Sequence, residues 1–357
     1  AEFLTKLLDP NLDKDETPIA RPYPFCLAHQ LDFPTEDLGK ISEWQAEWKW
    51  DGIRSQVIKR AGEVFVWSRG EDLITDRFPE IADAARELPD GTVIDGEILP
   101  WVDDRALPFA ELQRRIGRKN LSAKLLAELP VIVQSYDLLE HGSRDIREFD
   151  FSTRRDLLEQ LLLALPPRAQ SILRPTESVI ASDWDDLAEK RESSRSRGVE
   201  GFMLKRHDSS YGVGRRRGDW WKWKVDPLTV DAVLIYAQKG SGKRSNLFTD
   251  YTFAVWKGDE LVPFAKAYSG LTDVEIRKAD RFIRDNTVET FGPVRSVKPE
   301  LVFELGFEGM QRSNRHKSGV AVRFPRILRW RDDKTIRDAD SLETINDMLD
   351  AFQNAAK

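Results

Sequence analysis

The alternation of apolar and polar residues divides the chain into strand-like and helix-like segments from about residue 44 onward. Alternation with a period of two predicts β-strands, whereas a period near 3.6 predicts amphipathic helices. Up to residue 225, the predicted strands are 46–50, 53–60, 63–68, 92–99, 131–139, 201–206 and 219–225. The predicted helices are 77–88, 111–116, 122–129, 152–165, opened by Ser152, and 182–196, opened by Ser182 or Asp183.

After Asp226-Pro227 the sequence changes to short strand-like segments separated by tight turns, which predicts a second domain. About five short strands with one inserted helix favour a small β-barrel. The strands are predicted at 229–238, 250–256, 261–268, 300–307 and 320–330, and the helix at 272–285. The sequence therefore predicts an α+β protein with a tail or linker at 1–20, a first domain at 21–226 and a barrel domain at 229–357.

Composition and charge narrow the class of protein. The 357 residues are 40% hydrophobic and 32% charged, which is an ordinary globular composition. The net charge of −6 does not indicate a nucleic-acid binder, although local basic segments matter more than the total. The single cysteine, Cys26, excludes an intrachain disulfide. No apolar run approaches the ~20 residues of a membrane span, so we expect no membrane partner. No charged-then-apolar secretory leader is visible, so an intracellular compartment is expected, and we expect a monomer.

Three strand-like segments each place lysine on the face opposite large apolar side chains. In EWKWDGIR (47–54), Glu47, Lys49 and Asp51 share one face, and the tryptophans share the other. The same alternation recurs in EGFMLK (200–205) and WWKWK (220–224), whose lysine-bearing faces carry Met203, Lys205, Lys222 and Lys224. Three separate solvated faces would explain this pattern equally well. If the faces converge instead, the lysines line one cleft.

Lysines that converge on one cleft could perform phosphate chemistry. Neighbouring cations disfavour the ammonium form, so a neutral, nucleophilic amine becomes accessible. Lysine also binds phosphate as a point charge. The carboxylates Glu47, Glu97 and Glu200 could hold a divalent cation or accept hydrogen bonds from amines and sugar hydroxyls. We expect Gly52 to let the backbone approach a ligand closely, and Arg54 to supply donors for sugar or phosphate oxygens.

These segments resemble the motifs of the covalent nucleotidyltransferases. EWKWDGIR is similar to the family's KxDGxR signature, and DGE (95–97), EGFMLK and WKWK follow in the family's order. The resemblance is greatest to ATP-dependent DNA ligases and extends from about Pro22 to Ile336. It implies an adenylation domain of antiparallel sheets flanked by helices, followed by an OB-fold barrel. It also implies an enzyme that acts on nicked duplex DNA in repair, replication or recombination, in the cytoplasm with the nucleoid if prokaryotic.

The resemblance assigns a role to each matching residue of the first domain. Lys49 would take AMP from ATP, and Glu47 would accept from the adenine amino group. Tyr136 and Met203 would hold adenine between them, although the family usually has Phe in the position of Tyr136. Arg54 would hold the ribose or the terminus of the nick, and Arg69 would contact phosphate. Glu97 would bind the ribose or a metal, and Glu200 would bind the catalytic metal. The α-phosphate and its neighbours would be contacted by Lys205, Lys222 and Lys224.

FPRILRWRDDK (324–334) resembles the C-terminal RxDK motif of the ligases. The resemblance implies that Arg331 and Lys334, with Asp333, orient the pyrophosphate leaving group. It further implies ATP as substrate, Mg²⁺ or Mn²⁺ as the metal, and a hinge near Asp226-Pro227. Larger family members carry a helical DNA-binding domain ahead of this core. Because the chain begins at Ala1 rather than Met, we expect such a domain on a longer parent chain.

Local charge indicates how DNA would be bound. Between Met203 and Val225 there are seven basic residues, and between Arg312 and Arg337 there are nine. The loops GVGRRRG (212–218) and KGSGKRS (239–245) match neither a dinucleotide fingerprint nor a Walker loop, and we expect both to contact nucleic-acid backbone or solvent.

Several alternatives remain open at this stage. Tyr136 and Met203 could be ordinary core residues, Arg331 could form a surface salt bridge, and Glu97 could simply pair with a neighbouring lysine. An RNA ligase, a GTP-dependent capping enzyme and a non-catalytic OB protein with a degenerate nucleotide domain are the rival interpretations of the whole chain.

Overall fold

The computed structural model describes residues 19–118, 121–240, 242 and 245–355, with the side chains of 353–355 left out. The chain divides into two compact units, Ala1–Val225 and Asp226–Lys357. Residues 1–18 of the predicted tail and residues 241, 243 and 244 of KGSGKRS lie outside the described residues. Within the described ranges, no helix has both the length and the apolar composition that crossing a membrane requires.

The first unit is built around two mainly antiparallel sheets. The large sheet has the order β10-β8-β6-β4-β5, with the short strands β7 and β9 paired to β6 and β8. The small sheet has the order β11-β3-β12-β14-β2, and β1 pairs separately with β13. The strands are β1 (Cys26–Leu27), β2 (His29–Gln30), β3 (Trp44–Trp48), β4 (Ile53–Arg60), β5 (Glu63–Ser68), β6 (Thr92–Val102), β7 (Arg105–Ala106), β8 (Val131–His141), β9 (Arg144–Asp145), β10 (Leu173–Pro175), β11 (Ser178–Val179), β12 (Gly201–Arg206), β13 (Gly214–Arg215) and β14 (Trp220–Lys224).

Helices flank these sheets, and short polar side chains cap several of them. They are α1 (Pro79–Ala85), α2 (Phe109–Ile116), α3 (Ala123–Glu128), α4 (Phe151–Leu163), α5 (Pro167–Gln170) and α6 (Trp184–Glu192). The prediction of Ser152 as the cap of α4 is wrong, because the Asp150 carboxylate accepts from the Thr153 amide. Asp183 caps α6 as predicted, accepting from the Asp186 amide. Side-chain caps satisfy amides that have no partner within the helix.

Alternation along the strands produces separate cores on the two faces of the large sheet. Val57, Ile94 and Leu138 belong to the core that includes the flanking helices. Their sequence neighbours Ile58, Val93 and Leu139 belong instead to a cluster with Trp220 and Tyr211, and Met203 packs against it. Side chains of the small sheet also join this second cluster, so it lies between the two sheets. The segments of the first unit that carry the predicted catalytic residues lie on or next to the strands around it.

The second unit is a curled sheet whose long first strand changes partner along its length. β15 (Leu228–Lys239) pairs with β20 over Leu228–Val233 and with β19 over Tyr236–Gln238. A strand shared in this way bends the sheet toward a barrel, as in the OB-fold. The other strands are β16 (Phe248–Lys257), β17 (Glu260–Ala267), β18 (Thr287–Phe291), β19 (Val294–Val297), β20 (Val302–Phe307), β21 (Gly309–Arg312), β22 (Val320–Arg323) and β23 (Arg326–Trp330).

The second unit contains more elements than the sequence predicted. Helix α7 (Asp273–Asp285) was predicted, and a capping box formed by Thr272 and Glu275 opens it. Helix α8 (Leu342–Ala355) was not predicted. The predicted strand 320–330 is two strands, β22 and β23, because Phe324 has φ +52° and Pro325 lacks an amide hydrogen.

Candidate active site

Lys49 lies directly after β3 and is still paired to the neighbouring strand. The predicted strand 46–50 ends at Trp48, but two further backbone hydrogen bonds continue the ladder. The Lys49 amide donates to the Gly201 carbonyl, and the Glu200 amide donates to the Lys49 carbonyl, each at 2.8 Å. This pairing fixes the backbone of Lys49 next to that of Glu200.

A carboxylate and two ammonium groups meet above this pairing. Glu200 Oε2 lies 2.5 Å from Lys49 Nζ and 3.2 Å from Lys224 Nζ. Burial alone would raise the pKa of Glu200, but the two lysines lower it below its ordinary value. The pKa of Lys222 is lowered by burial and then by the positive charges of Arg215, Lys49 and Lys224. The site therefore holds an ionised carboxylate within a concentration of positive charge.

Strand register decides between the two interpretations of the lysine-bearing faces that the sequence left open, and the faces converge. Met203 of β12 stands opposite Glu47 of β3 on one side and Lys222 of β14 on the other. Gly201 stands opposite Lys224. The opposite face of the small sheet is apolar core, formed by Trp44, Trp48, Phe202, Leu204 and Trp221. The three segments thus contribute to one surface.

Glu47 and Lys205 form a buried ion pair at the floor of this surface. They are 2% and 1% exposed, and Lys205 Nζ lies 2.7 Å from Glu47 Oε2. Lys205 also donates to the Tyr136 carbonyl at 3.2 Å, and burial lowers its pKa against the opposing effect of Glu47. Gln45 donates to Glu47 Oε1 at 2.8 Å, and Arg155 of α4 lies 3.5 Å from the same atom. Lys205 therefore differs from Lys222 and Lys224, because its ammonium and the carboxylate that pairs with it are almost completely buried.

Arg54 is held in one orientation by a network on the large sheet. Its guanidinium bonds both oxygens of Asp95, at 3.2 and 2.7 Å, and the Cys26 carbonyl. The Tyr211 hydroxyl donates to Asp95 Oδ2, which is fully buried. The guanidinium carbon of Arg54 lies 5.7 Å from the centre of the Tyr136 ring. The aromatic face expected to stack on adenine therefore lies beside a fixed cation.

Glu97 stands opposite Arg54 in the register of β4 and β6. Burial raises its pKa to about 7, although the charges of Lys49 and Arg54 oppose the rise. The Gly52 amide donates to Glu97 Oε1 at 3.2 Å. A Cβ at Gly52 would lie 2.2 Å from the Ile98 carbonyl oxygen. Glycine is therefore required here by the neighbouring strand, whereas the sequence had suggested close approach of a ligand.

The other predicted site residues lie in different environments. The Arg69 side chain is exposed, and its amide donates to the Arg54 carbonyl at 2.9 Å. In the second unit, Arg331 Nη1 and Lys334 Nζ both contact Asp231 Oδ2, at 2.9 and 2.5 Å. Arg331 also pairs with Asp333 through its Nε and Nη2 atoms.

The sequence analysis missed four residues that hold these side chains in place. Asp95 could have been found, because it shares a strand face with Glu97 two residues later. Tyr211, Arg155 and Asp231 gave no such signal, since each lies far along the chain from the residue that it contacts.

Two protein-family models match this chain, one in each unit. The model of the "ATP dependent DNA ligase domain" family matches residues 25–224. That of the "ATP dependent DNA ligase C terminal region" matches residues 244–334. The chain belongs to the ATP-dependent DNA ligase family. Its fold is accordingly a nucleotidyltransferase domain followed by an OB-fold domain.

Individual ligases show the same relationship. A "Probable DNA ligase" of Koribacter versatilis is 38% identical over 340 residues, which cover 90% of this chain and 59% of the relative. Another, from Opitutus terrae, is 40% identical over 328 residues, covering 84% of this chain and 32% of the relative. The chain thus spans about three fifths and one third of these ligases. A solved Lig E DNA ligase shares the fold at 22% identity, with a TM-score of 0.62, covering 87% of this chain and all of the other.

Proposed function

We propose that the chain is the catalytic core of an ATP-dependent DNA ligase that seals nicks in duplex DNA through AMP carried on Lys49. The observation that carries the proposal is the cluster of Lys49, Glu200 and Lys224, in a chain of this family. The RNA ligase and GTP-dependent capping alternatives share the lysine motif. Membership of the DNA ligase family and the RDDK sequence at 331–334 favour the DNA enzyme over both.

In the first step, Lys49 Nζ would attack the α-phosphorus of ATP. A phosphorus–nitrogen bond forms as the bond to pyrophosphate breaks, and the nitrogen releases to solvent the two protons that it loses on going from ammonium to phosphoramidate. Glu200 holds the amine through its 2.5 Å contact, which aims the nucleophile before ATP reacts. Lys222 and Lys224 would stabilise the negative charge that spreads over the phosphoryl oxygens.

The surroundings of Lys49 suit an adenine nucleotide. A carboxylate offers about four lone-pair directions, and Glu47 uses three for Gln45, Arg155 and Lys205. One direction remains to accept from the amino group of adenine. Tyr136 and Met203 would hold the base, and Arg54 and Arg69 would contact ribose or phosphate. We assign Lys205 the task of orienting Glu47, because its ammonium is buried and paired.

Glu97 and Glu200 supply the hard oxygen donors that Mg²⁺ or Mn²⁺ prefers. Across the described residues, no group of three or more carboxylate, histidine or cysteine side chains could hold a metal alone. Two carboxylates suffice if ATP phosphates complete the site, as is usual for Mg²⁺. The bound ion would withdraw electrons from the phosphoryl oxygens. Glu97 must lose its proton to take part.

The later steps act on DNA. AMP on Lys49 would pass to the 5′-phosphate of the nick, and the 3′-hydroxyl would then displace AMP and join the strands. The exposed side chains of Arg215, Arg216 and Arg217 would bind backbone phosphates. Arg331 and Lys334 would act earlier, on the pyrophosphate that leaves in the first step.

Labelled nucleotides test the proposal. The protein is incubated with Mg²⁺ and labelled ATP, GTP or NAD⁺, then denatured, and acid-labile label on the chain is measured. We expect label from ATP alone, lost in Lys49→Ala and retained in the control Lys59→Ala, whose ammonium donates to the Gly62 and Arg86 carbonyls. Label from GTP alone would refute the proposal, as would sealing of RNA nicks but not DNA nicks.

A further inference from the structure

We propose that Asp231 is a positioning residue that holds Arg331 and Lys334 ready for the pyrophosphate leaving group. The inference rests on the proposed function, because it assigns a role within the first step of that reaction. Asp231 lies in β15, far along the chain from the RDDK sequence, and no motif includes it. It nevertheless contacts both cations of that sequence.

The contacts converge on one carboxylate. Arg331 Nη1 lies 3.1 Å from Asp231 Oδ1 and 2.9 Å from Oδ2, and Lys334 Nζ lies 2.5 Å from Oδ2. The Asp231 side chain is 9% exposed, so solvent screens these contacts less than contacts at the surface. One buried anion therefore fixes the positions of two cations relative to each other.

The backbone around Asp231 is itself fixed. Its amide donates to Asp340 Oδ2, and the Asp340 amide donates to the Asp231 carbonyl, each at 2.8 Å. In the register of β15 and β20, Asp231 stands opposite Glu304. The Arg331 amide donates to the Val302 carbonyl on the same strand, β20, at 2.9 Å. Arg331 directly follows β23, and β20 pairs with both β15 and β23, so the donor and the acceptor are held on either side of one strand.

Asp333 has a different environment from Asp231. Its side chain is 63% exposed and bonds the Nε–Nη2 edge of Arg331. A phosphate can replace an exposed carboxylate on that edge at little cost, since surface ion pairs contribute little. Asp231 binds the remaining nitrogen, Nη1, and can stay in place while the exchange occurs. Arg331 can therefore bind pyrophosphate without losing its anchor.

Electrostatics explains why the anchor must be charged. Arg331 and Lys334 carry like charges, and both are long side chains that lose rotamer freedom when ordered. Without a negative charge between them, the two side chains would separate. The entropy lost in ordering them would then add to the activation free energy of the reaction. Holding them in advance lowers the barrier of the step that uses them.

The test compares Asp231→Asn with wild type in the full chain. Asparagine keeps the shape and one oxygen acceptor but removes the charge. We expect adenylylation of Lys49 at subsaturating ATP to slow by about 10- to 100-fold. In the reverse reaction, in which pyrophosphate regenerates ATP from the adenylylated protein, the KM for pyrophosphate should rise by about tenfold or more. Sealing of a pre-adenylylated nick should stay within about twofold of wild type, and Asp231→Glu should restore part of the first step.

The matched control is Asp280→Asn in the same unit. Asp280 is buried to a similar extent, and its carboxylate accepts from Arg284 and the Phe248 amide. This control should leave every step unchanged. If Asp231→Asn adenylylates at the wild-type rate or faster, or if it slows all steps equally, the inference is overturned. Failure of wild type to adenylylate would instead refute the proposed function.

Discussion

At the scale of single residues, the site contains two carboxylates with opposite pKa shifts. Glu200, between Lys49 and Lys224, has its pKa lowered, whereas burial raises that of Glu97 to about 7. Such a separation allows one group to stay ionised while the other exchanges a proton near neutral pH. Glu200 is thus ready to hold the amine, and an approaching cation would favour the ionised form of Glu97.

Replacing Glu97 with glutamine should make stability less sensitive to pH. A carboxylate with a raised folded-state pKa favours folding below its unfolded pKa of 4.5, and this contribution is lost as pH rises to about 7. The loss is at most about 3 kcal/mol. From pH 5 to pH 8, the Tm of Glu97→Gln should therefore rise relative to the Tm of wild type. Parallel Tm curves would show that Glu97 titrates normally.

Lys205 shows what alternation along a single strand does not predict. Alternation correctly placed it on the same face as Met203, and the resemblance implied a phosphate contact. Its 1% exposure arises because Trp220, Tyr136 and Phe151 cover that end of the strand. A period of two assigns a face but does not say what packs against it. The covering residues come from distant parts of the chain.

At the scale of elements, strands were predicted more accurately than their ends and caps. β4 and β5 have the predicted bounds, because the short Ala61-Gly62 turn between them marks where each strand ends. β3 ends before Lys49, where the chain turns toward Gly52. Helix α8 was not predicted, although apolar residues recur at helical spacing at Leu342, Ile345 and Leu349.

The glycine of the KWDGIR segment provides a prediction at this scale. In Gly52→Ala, the new Cβ would lie 2.2 Å from the Ile98 carbonyl oxygen and 2.7 Å from Leu99 Cδ2. Backbone cannot yield as a side-chain tip can, so β4 and β6 should separate and displace Glu97. We expect the free energy of unfolding to fall by about 1–3 kcal/mol. Tm should fall with it, and adenylylation should be slower. Gly117→Ala is the control, because among the described residues its Cβ would meet only the Gln113 carbonyl oxygen, at 3.5 Å. Equal activity of the two variants would contradict this account.

At the scale of the whole molecule, the sequence indicated two domains through a change of texture near Asp226-Pro227, and the chain divides between Val225 and Asp226. The order of motifs indicated the family. The curl of the second unit was less visible, because it depends on which half of β15 pairs with which strand. Such pairing is a property of distant contacts that local patterns do not record.

Affinity for nicked DNA should depend on salt despite the net charge of −6. Each phosphate contact contributes about −0.9 to the slope of log K against log salt concentration. Replacing the exposed Arg215, Arg216 and Arg217 with glutamine should reduce that slope by up to about 3. Fluorescence anisotropy at several salt concentrations measures the slope. The control pair, Arg86→Gln and Arg114→Gln, removes arginines that pair with Asp83 and Glu111. A slope reduced equally by both sets would contradict a specific role for the loop.

The two hydrogen bonds between Lys49 and the Gly201 and Glu200 backbone have a consequence for how activity can be lost. They make Lys49, the proposed nucleophile, and Glu200 neighbours in one ladder, so fraying of that ladder displaces both side chains together. A partly melted enzyme would not retain a reactive amine without the carboxylate that aims it. Activity would then be lost in a single transition with heat or denaturant. Few molecules would keep Lys49 in place without Glu200 beside it.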